Sequence, residues 1–277
     1  MKEQLNSAGI FHFGLTALPH RGSWFDVRAA QRVPHNAKTA IVCLFPYYIK
    51  CEKRNTAMVA AVNDYHIVAK QMMENAIQEL KPKYPGDYAA FIDNSPFDEI
   101  SLAVFAELGS RGRNGLLITE QFGSWVFIGE IVTNAKKLET QKKPVVEKSE
   151  NNGLKGKTGE GSAEFCTRCD RCIEACPAGI LPEKSKRTCI SAITQKKGEL
   201  SEQERAMIKL GGSAWGCDIC QDACPCNFNV KQTQIPMFLE NFAPVITDGA
   251  LEVLCKTKLY AFAGINTIRR NLRIIEE

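Results

Sequence analysis

The chain has 277 residues, enough for one large domain or two medium ones with a core that stands without disulfides. Its 35 basic and 31 acidic residues leave +4, a mild excess that permits contact with nucleic acid without arguing for it. Twelve cysteines are the outlier, but the opening MKEQLNSAGIFHFGL has no apolar run fit for export and no stretch reaches the roughly 18 apolar residues of a membrane span; a secreted disulfide scaffold and a membrane protein are set aside, and a cytoplasmic protein is expected.

In chain order, TAIVCLFP from Thr39 to Pro46 reads as a buried strand. Thr56 to Leu80 reads as one helix, with Val59, Val62, Ile67, Ala69, Met73, Ala76, Ile77 and Leu80 forming its apolar stripe. KPKYPGDY, from Lys81 to Tyr88, is a loop because two prolines and a glycine break the pattern. Tyr88 to Ile92 is a strand, and Ser95-Pro96 opens a helix running through Leu108, proline being tolerated at a first helical position. LLIT from Leu116 and SWVFIGEIV from Ser124 supply two more strands around Gly123. Interleaved helices and strands from Thr39 to Val132 give an α/β (α+β) layer of unknown strand order. Asn134 to Gly161 turns lysine-rich and polar, with no credible core; it reads as a linker or exposed excursion, or as a cover over a ligand edge.

Nine cysteines crowd between Cys166 and Cys226, which marks a local device. Cys166, Cys169, Cys172 and Cys176 before Pro177 form C-x2-C-x2-C-x3-C-P, the run of bacterial two-cluster ferredoxins, in which the fourth cysteine ligates the other [4Fe-4S] cluster. Cys217, Cys220, Cys224 and Pro225 repeat the ending with one cysteine missing. Cys189 and Cys226 compete for the vacancy. Cys226 would have to point away from nearby Cys224, so Cys189 is preferred. The expected sets are Cys166, Cys169, Cys172 and Cys224 for one cluster, and Cys176, Cys189, Cys217 and Cys220 for the other. Structural zinc is the bland alternative, but it does not need a third cysteine at the same short spacing followed by Cys-Pro. Ala178-Gly179-Ile180 fits a tight turn around an inorganic core, and Ile173 and Ile219 would keep water from the sulfurs. Cys43, Cys51 and Cys255 receive no role. A simple ferredoxin needs far fewer residues, so the first 130 are expected to house the chemistry, although they carry neither GxGxxG nor GxxxxGK[ST].

FCTRCDRCIEACPAGIL, RTCIS and WGCDICQDACPCN resemble the iron-sulfur module of the epoxyqueuosine reductase family, which is cobalamin-dependent and completes queuosine synthesis on tRNA. Upstream, NDYH (Asn63 to His66), FIDNSP (Phe91 to Pro96), ELGSRGRNGLLI (Glu107 to Ile118) and FGSWVFIGEIVT (Phe122 to Thr133) resemble that family's catalytic blocks in the same order. The resemblance implies a nitroreductase-like corrinoid-binding domain at 1–160, a ferredoxin-like domain with two clusters at 161–235, and a tail at 236–277 packing back on the core. It implies that Asp93 donates a proton, and that Tyr65, His66, Gly109, Gly112, Arg113, Gly115, Gly123, Ser124 and Trp125 lie near the corrinoid. It also implies a low-potential electron donor such as a ferredoxin or flavodoxin, weak contact with tRNA, and a monomer. Reductive dehalogenases share the architecture more distantly.

Departures from the family pattern are visible. Gly109-Ser110-Arg111-Gly112-Arg113 stands where the family has Gly-Trp-Ile-Gly-Lys, the block between Pro19 and Pro34 is short, Cys226 replaces a tryptophan, and the sequence ends at Glu277 where relatives continue into a helical-repeat domain associated with tRNA. Three readings therefore compete: a short epoxyqueuosine reductase, a corrinoid-dependent reductase of another substrate, and an electron-transfer or corrinoid-handling protein. Arg269, Arg270 and Arg273 would meet phosphates or form a solvated face. Trp24, Trp125 and Trp215 would wall a planar ligand or serve cores. Neighbouring positions on a helix point apart, so Tyr65 and His66 are not expected to share one pocket. By position alone, Asp93 is a helix cap.

Overall fold

The computed structural model describes residues 1–18, 27–140, 165–182 and 188–277. Trp24 and most of the lysine-rich stretch lie outside the described residues. Strands β1 (His12–Ala17), β2 (Thr39–Pro46), β3 (Tyr88–Ile92), β4 (Ser110–Arg111), β5 (Leu117–Ile118) and β6 (Val126–Thr133) form two sheets. The larger is antiparallel in the order β1-β2-β6-β3, and β4 pairs with β5 in a small hairpin.

Central β2 and β6 pair over their full length, from Thr39↔Thr133 to Pro46↔Val126. Every residue of β2 is buried, which is why TAIVCLFP reads as a continuous apolar run instead of alternating. One face presents Ile41, Cys43, Phe45, Phe127 and Ile131 to the helix Tyr65–Leu80. The other presents Val42, Leu44, Ile128 and Val132 to the helix Glu99–Phe105. The result is a mixed α/β arrangement with helices on both faces of the sheet.

Several boundaries differ from expectation, each for a local reason. The helix expected over Thr56–Leu80 is two, Met58–Ala61 and Tyr65–Leu80. Val62 is extended, and the Asp64 carboxylate accepts the His66 N–H at 2.9 Å, so a side-chain cap restarts the helix at Tyr65. Ile67, expected in the apolar stripe, is 61% exposed; Tyr65, Val68 and Met72 are buried in its place. The next helix begins at Glu99 instead of Ser95, because Asp98 takes the Ser101 N–H at 2.6 Å. It stops at Phe105, before Leu108: Glu107 turns left-handed (φ 61°), and Leu108 N–H to Ala103 and Glu107 N–H to Val104 close the helix. LLIT forms a strand only at Leu117–Ile118. Asn134 to Leu138 belongs to the folded core, since Ala135 and Leu138 are buried and Asn134 bonds Asp87 and the His35 carbonyl. The edge strand β1 was not expected from HFGLTA. Only Thr16 in it is buried, and Gly14 is needed because a Cβ there would sit 2.4 Å from the Ala106 carbonyl.

The C-terminal segment is stitched onto residues 55–64. Asn55 exchanges side-chain bonds with the Ile246 backbone at 2.7 and 2.8 Å, Ala243 N–H reaches Ala61, and Asp64 N–H reaches Thr257. Lys258, 1% exposed, points its ammonium at the Ala61 and Asn241 carbonyls (2.9 and 2.6 Å) and at Asn63 Oδ1 (3.3 Å). That ammonium therefore pins the break immediately before Tyr65. Among the described residues, no helix is long and apolar enough to cross a membrane.

Candidate active site and cluster cysteines

Asp93 follows the last residue of β3 in a left-handed conformation (φ 56°), inside a three-residue turn closed by Asn94 N–H to the Ile92 carbonyl at 2.7 Å. It caps no helix, that task falling to Asp98. Its half-exposed carboxylate accepts the Tyr65 hydroxyl and lies 3.3 Å from His66 Nε2. Both neighbours therefore reach the same carboxylate, contrary to the expectation that adjacent helical positions diverge. The first helical turn resolves this: the two rings stack at 4.2 Å, and His66 Nδ1 is held 2.8 Å from Asp64 Oδ1. Burial, and then the charge of Asp64, push the Asp93 carboxyl above the ordinary aspartate range.

From this carboxylate an aromatic ladder crosses the sheet end. Tyr65 stacks on Phe127 at 4.0 Å, Phe127 on Tyr47 at 4.2 Å, Tyr47 meets Trp125 edge-on at 5.9 Å, and Trp125 stacks on Tyr48 at 5.5 Å. Tyr47 in turn interacts with Gln221, Asp218 and Cys220 of the second cysteine run. Trp125 Nε1 is buried with no hydrogen-bond partner, an orphaned donor of the kind that a polar ligand satisfies. Trp215, by contrast, belongs to the C-terminal core, against Tyr260 and Phe262.

The glycine-rich residues are engaged within the protein. A Cβ on Gly109 would stand 2.5 Å from the Ile118 carbonyl, and one on Gly112 would stand 2.6 Å from Asn114 Oδ1. Gly115 (φ 71°) turns the β4–β5 hairpin, with its N–H on the Gly112 carbonyl. Arg113 pairs with Asp170, and Ser110 Oγ accepts the Phe165 and Cys166 N–H groups at 2.9 and 3.3 Å, so the hairpin docks on the first cysteine run. Ser124 N–H bonds Asn227 Oδ1 at 2.7 Å and its hydroxyl bonds Gln221 at 2.8 Å. At Gly123 (φ 54°) an added Cβ would collide with Asn227 Oδ1 and crowd the Cys226 carbonyl. Gly123→Ala is therefore expected to cost about 1–3 kcal/mol and to loosen the cysteine-rich segment, read as a lower melting temperature and faster iron loss.

Cys172 lies within electrostatic range of Cys166 and Cys169, and Cys224 within range of Cys172. Cys217 lies within range of Cys189 and Cys176. Cys226 turns its thiol to the Phe165 carbonyl at 3.2 Å and also touches Cys224. Gly179 (φ 59°) closes a turn onto the Cys176 carbonyl. Among the described residues, no three ligating side chains gather tightly enough for a single ion; thiolates around a four-iron cluster stand farther apart than that. Arg54 joins the two halves: it pairs with Asp222, lies 3.6 Å from buried Asp218, and sits 5.9 Å over the Trp125 ring. Arg54 was not singled out from sequence, where an isolated arginine in CEKRNTA carries no signal. The same holds for a cavity of about 800 Å³ lined by His12, Phe122, Met72 and Lys231, which contains none of the expected site residues.

Behind the Asp93 turn, Glu99 is pushed up to about 8 by burial and by the Asp93 charge. A folded-state value above the usual 4.5 means the native protein binds a proton that the unfolded chain releases. The stabilisation is complete at low pH and is lost as pH rises from about 4.5 to about 8, by at most about 1.4 kcal/mol per pH unit for this one group. Urea unfolding across that window is expected to show the slope, and Glu99→Gln to flatten it.

Residues 165–227 match the family described as a 4Fe-4S double cluster binding domain. An epoxyqueuosine reductase of Lactococcus garvieae (strain Lg2) is 34% identical over 173 residues, 61% of this chain and 43% of the relative. One of Cyclobacterium marinum is 28% identical over 234 residues, 80% of this chain and 69% of the relative. This chain spans less than half the length of the first curated relatives that it matches. A crystal structure of epoxyqueuosine reductase with an epoxyqueuosine-modified tRNA-Tyr stem loop superposes with a TM-score of 0.73 at 21% identity, covering 99% of this chain and 79% of that one. With its double-cluster domain and its fold in hand, the chain resembles the epoxyqueuosine reductases in both sequence and architecture.

Proposed function

We propose that this chain is a corrinoid-dependent reductase of epoxyqueuosine in tRNA, with Asp93 as the proton donor. The observation that carries this reading is the convergence of Tyr65, His66 and Asp93 at one end of an aromatic ladder whose middle rung, Tyr47, meets the second cysteine run. In this reading the two thiolate sets are Cys166, Cys169, Cys172 and Cys224, and Cys176, Cys189, Cys217 and Cys220. The corrinoid would be held by the Tyr65–His66 pair and by the segments Gly109–Gly115 and Gly123–Trp125, with the unpartnered Trp125 Nε1 as an available donor. Bound there, it would supply low-valent cobalt chemistry for reduction at carbon. The protein's own contribution is positional and acidic: Tyr65 and His66 orient the Asp93 carboxyl, and partial burial together with the Asp64 charge raises its affinity for a proton above that of an ordinary aspartate.

The reading divides the chain at 1–160, 161–235 and 236–277 and places a monomer in the cytoplasm, served by a ferredoxin- or flavodoxin-class donor. Arg269 is tied to Asp248 at 2.5 Å and Arg270 to the Gly198 and Lys196 carbonyls, so the terminal helix has few cations to spare for phosphates. Affinity for an epoxyqueuosine stem loop is accordingly expected to be weak and to fall at least roughly tenfold between low and physiological salt, measured by fluorescence anisotropy. Anaerobic purification, corrinoid extraction and assay of the modified stem loop against the free nucleoside, with a low-potential reductant, test the function. Turnover of neither substrate by corrinoid-loaded protein would reject it.

A further inference from the structure

Strand β6 carries a carboxyl where its neighbours dictate an apolar side chain. Glu130 is fully buried, with Val42 and Phe91 as its partners on the flanking strands. Its Oε2 accepts the Ser95 hydroxyl, while Oε1 has no partner. A short distance away, at the start of its helix, Glu99 receives the Asp93 backbone N–H and likewise has a buried, unpartnered Oε1. The surrounding titratable and charged groups are Asp93, Asp98 held by Arg111 at 2.5 Å, Cys43 from β2, and Arg32, whose guanidinium lies 5.0 Å over the Phe91 ring and bonds the Asn94 carbonyl. No cation among the described residues pairs with either glutamate. An ionised carboxylate left buried and unpaired in this setting is costly, so the surroundings of both groups favour the protonated form. An apolar residue of similar size would serve the core better. Glu99 is tied to the Asp93 turn through the Asp93 backbone N–H, and Glu130 through the hydroxyl of Ser95, two residues beyond Asp93.

We propose that Glu130 and Glu99 form an internal proton store that reloads Asp93 during turnover. This rests on Asp93 being the proton donor. Reducing an epoxide to an alkene breaks both carbon–oxygen bonds, takes up two electrons and two protons, and releases the oxygen as water. The electrons enter one at a time from a low-potential donor through the clusters, which are reoxidised as the substrate is reduced. One proton comes directly from Asp93. The second reaches Asp93 from Glu99, which is refilled by Glu130 and finally by solvent.

The test uses the full chain with clusters reconstituted, examined by infrared spectroscopy before any substrate is added. Two carbonyl bands of protonated carboxylic acids are expected at neutral pH, one lost in Glu130→Gln and the other in Glu99→Gln. Asp93→Asn should lower the pH at which the Glu99 band disappears, since it removes a charge that favours the proton. In single- and multiple-turnover assays, Glu130→Gln should keep its first turnover and slow later ones by at least about tenfold, less than loss of the direct acid would. Absent bands, a Glu99 band indifferent to Asp93→Asn, or wild-type steady-state rates in Glu130→Gln would each overturn the store. Should Glu130→Gln not fold, Glu99→Gln, which removes the source of the second proton, should slow the first turnover as well as later ones, and a wild-type first turnover in it would overturn the store. If the wild-type chain fails to reduce epoxyqueuosine, the functional reading falls separately, and the infrared arms still decide whether the acids are protonated and coupled to Asp93.

Discussion

Asp93→Asn is expected to lower turnover by about 10²- to 10⁴-fold while leaving both clusters in place. Asparagine fills the same volume and can still accept the Tyr65 hydroxyl, but it has no proton to give. The half-exposed side chain contributes little to the core, so folding and iron content should match wild type. A plain structural role would show the reverse pattern, with reduced stability and activity retained in whatever protein folds. The pH profile separates the two cases further. Because burial and Asp64 raise the carboxyl's proton affinity, the wild-type rate should decline as pH rises through that raised value, and the asparagine variant should lose this limb. A variant with wild-type kcat/KM would remove Asp93 from the chemistry. Loss of bound corrinoid together with activity would recast it as a binding residue.

Iron content supplies the second large effect. Reconstituted wild type is expected to hold about eight iron and eight acid-labile sulfide per chain, Cys189→Ser about four, and Cys226→Ser about eight, because each cluster needs four thiolates or an equivalent replacement. Cys189 lies beside Cys217, where three thiolates otherwise lack a fourth; Cys226 turns to the Phe165 carbonyl next to a set that already counts four. Iron and sulfide analysis with electron paramagnetic resonance of the reduced protein reads the outcome. Loss of a cluster in Cys226→Ser with both retained in Cys189→Ser would exchange the two assignments.

The cysteine runs were legible because cluster chemistry fixes ligand type and spacing within a few residues, a constraint that survives in one dimension. β2 was legible because full burial makes its run apolar, and β3 because proline and glycine punctuation sets off a short segment that ends in buried Phe91 and Ile92. Val62 to Asp64 defeated the reading of one long helix: the apolar pattern continues through the break, where the Asp64 cap restarts the helix and tertiary bonds to Lys258 and Thr257 hold the interruption in place. The pairing of Tyr65 with His66 was hidden because helical periodicity describes helix interiors, whereas a first-turn histidine tied back to its own cap is turned from its usual direction. β1 escaped because an edge strand with one buried residue has no alternation to detect. Arg54 and Glu130 carry their meaning wholly in their surroundings, the first over Trp125 and the second inside the sheet.

The pin formed by Lys258 binds two distant stretches into one cooperative unit of opening. The ammonium holds carbonyls at Ala61 and Asn241 together with Asn63, while neighbouring backbone bonds join Asp64 to Thr257 and Ala243 to Ala61. Regions that share such bonds exchange their amide hydrogens through a common unfolding event. The amides of Ala243 and Asp64 should therefore show matching protection in deuterium-exchange mass spectrometry, and Lys258→Met should lower both in step. Rigidity at the start of the Tyr65 helix is thus set from the far end of the chain.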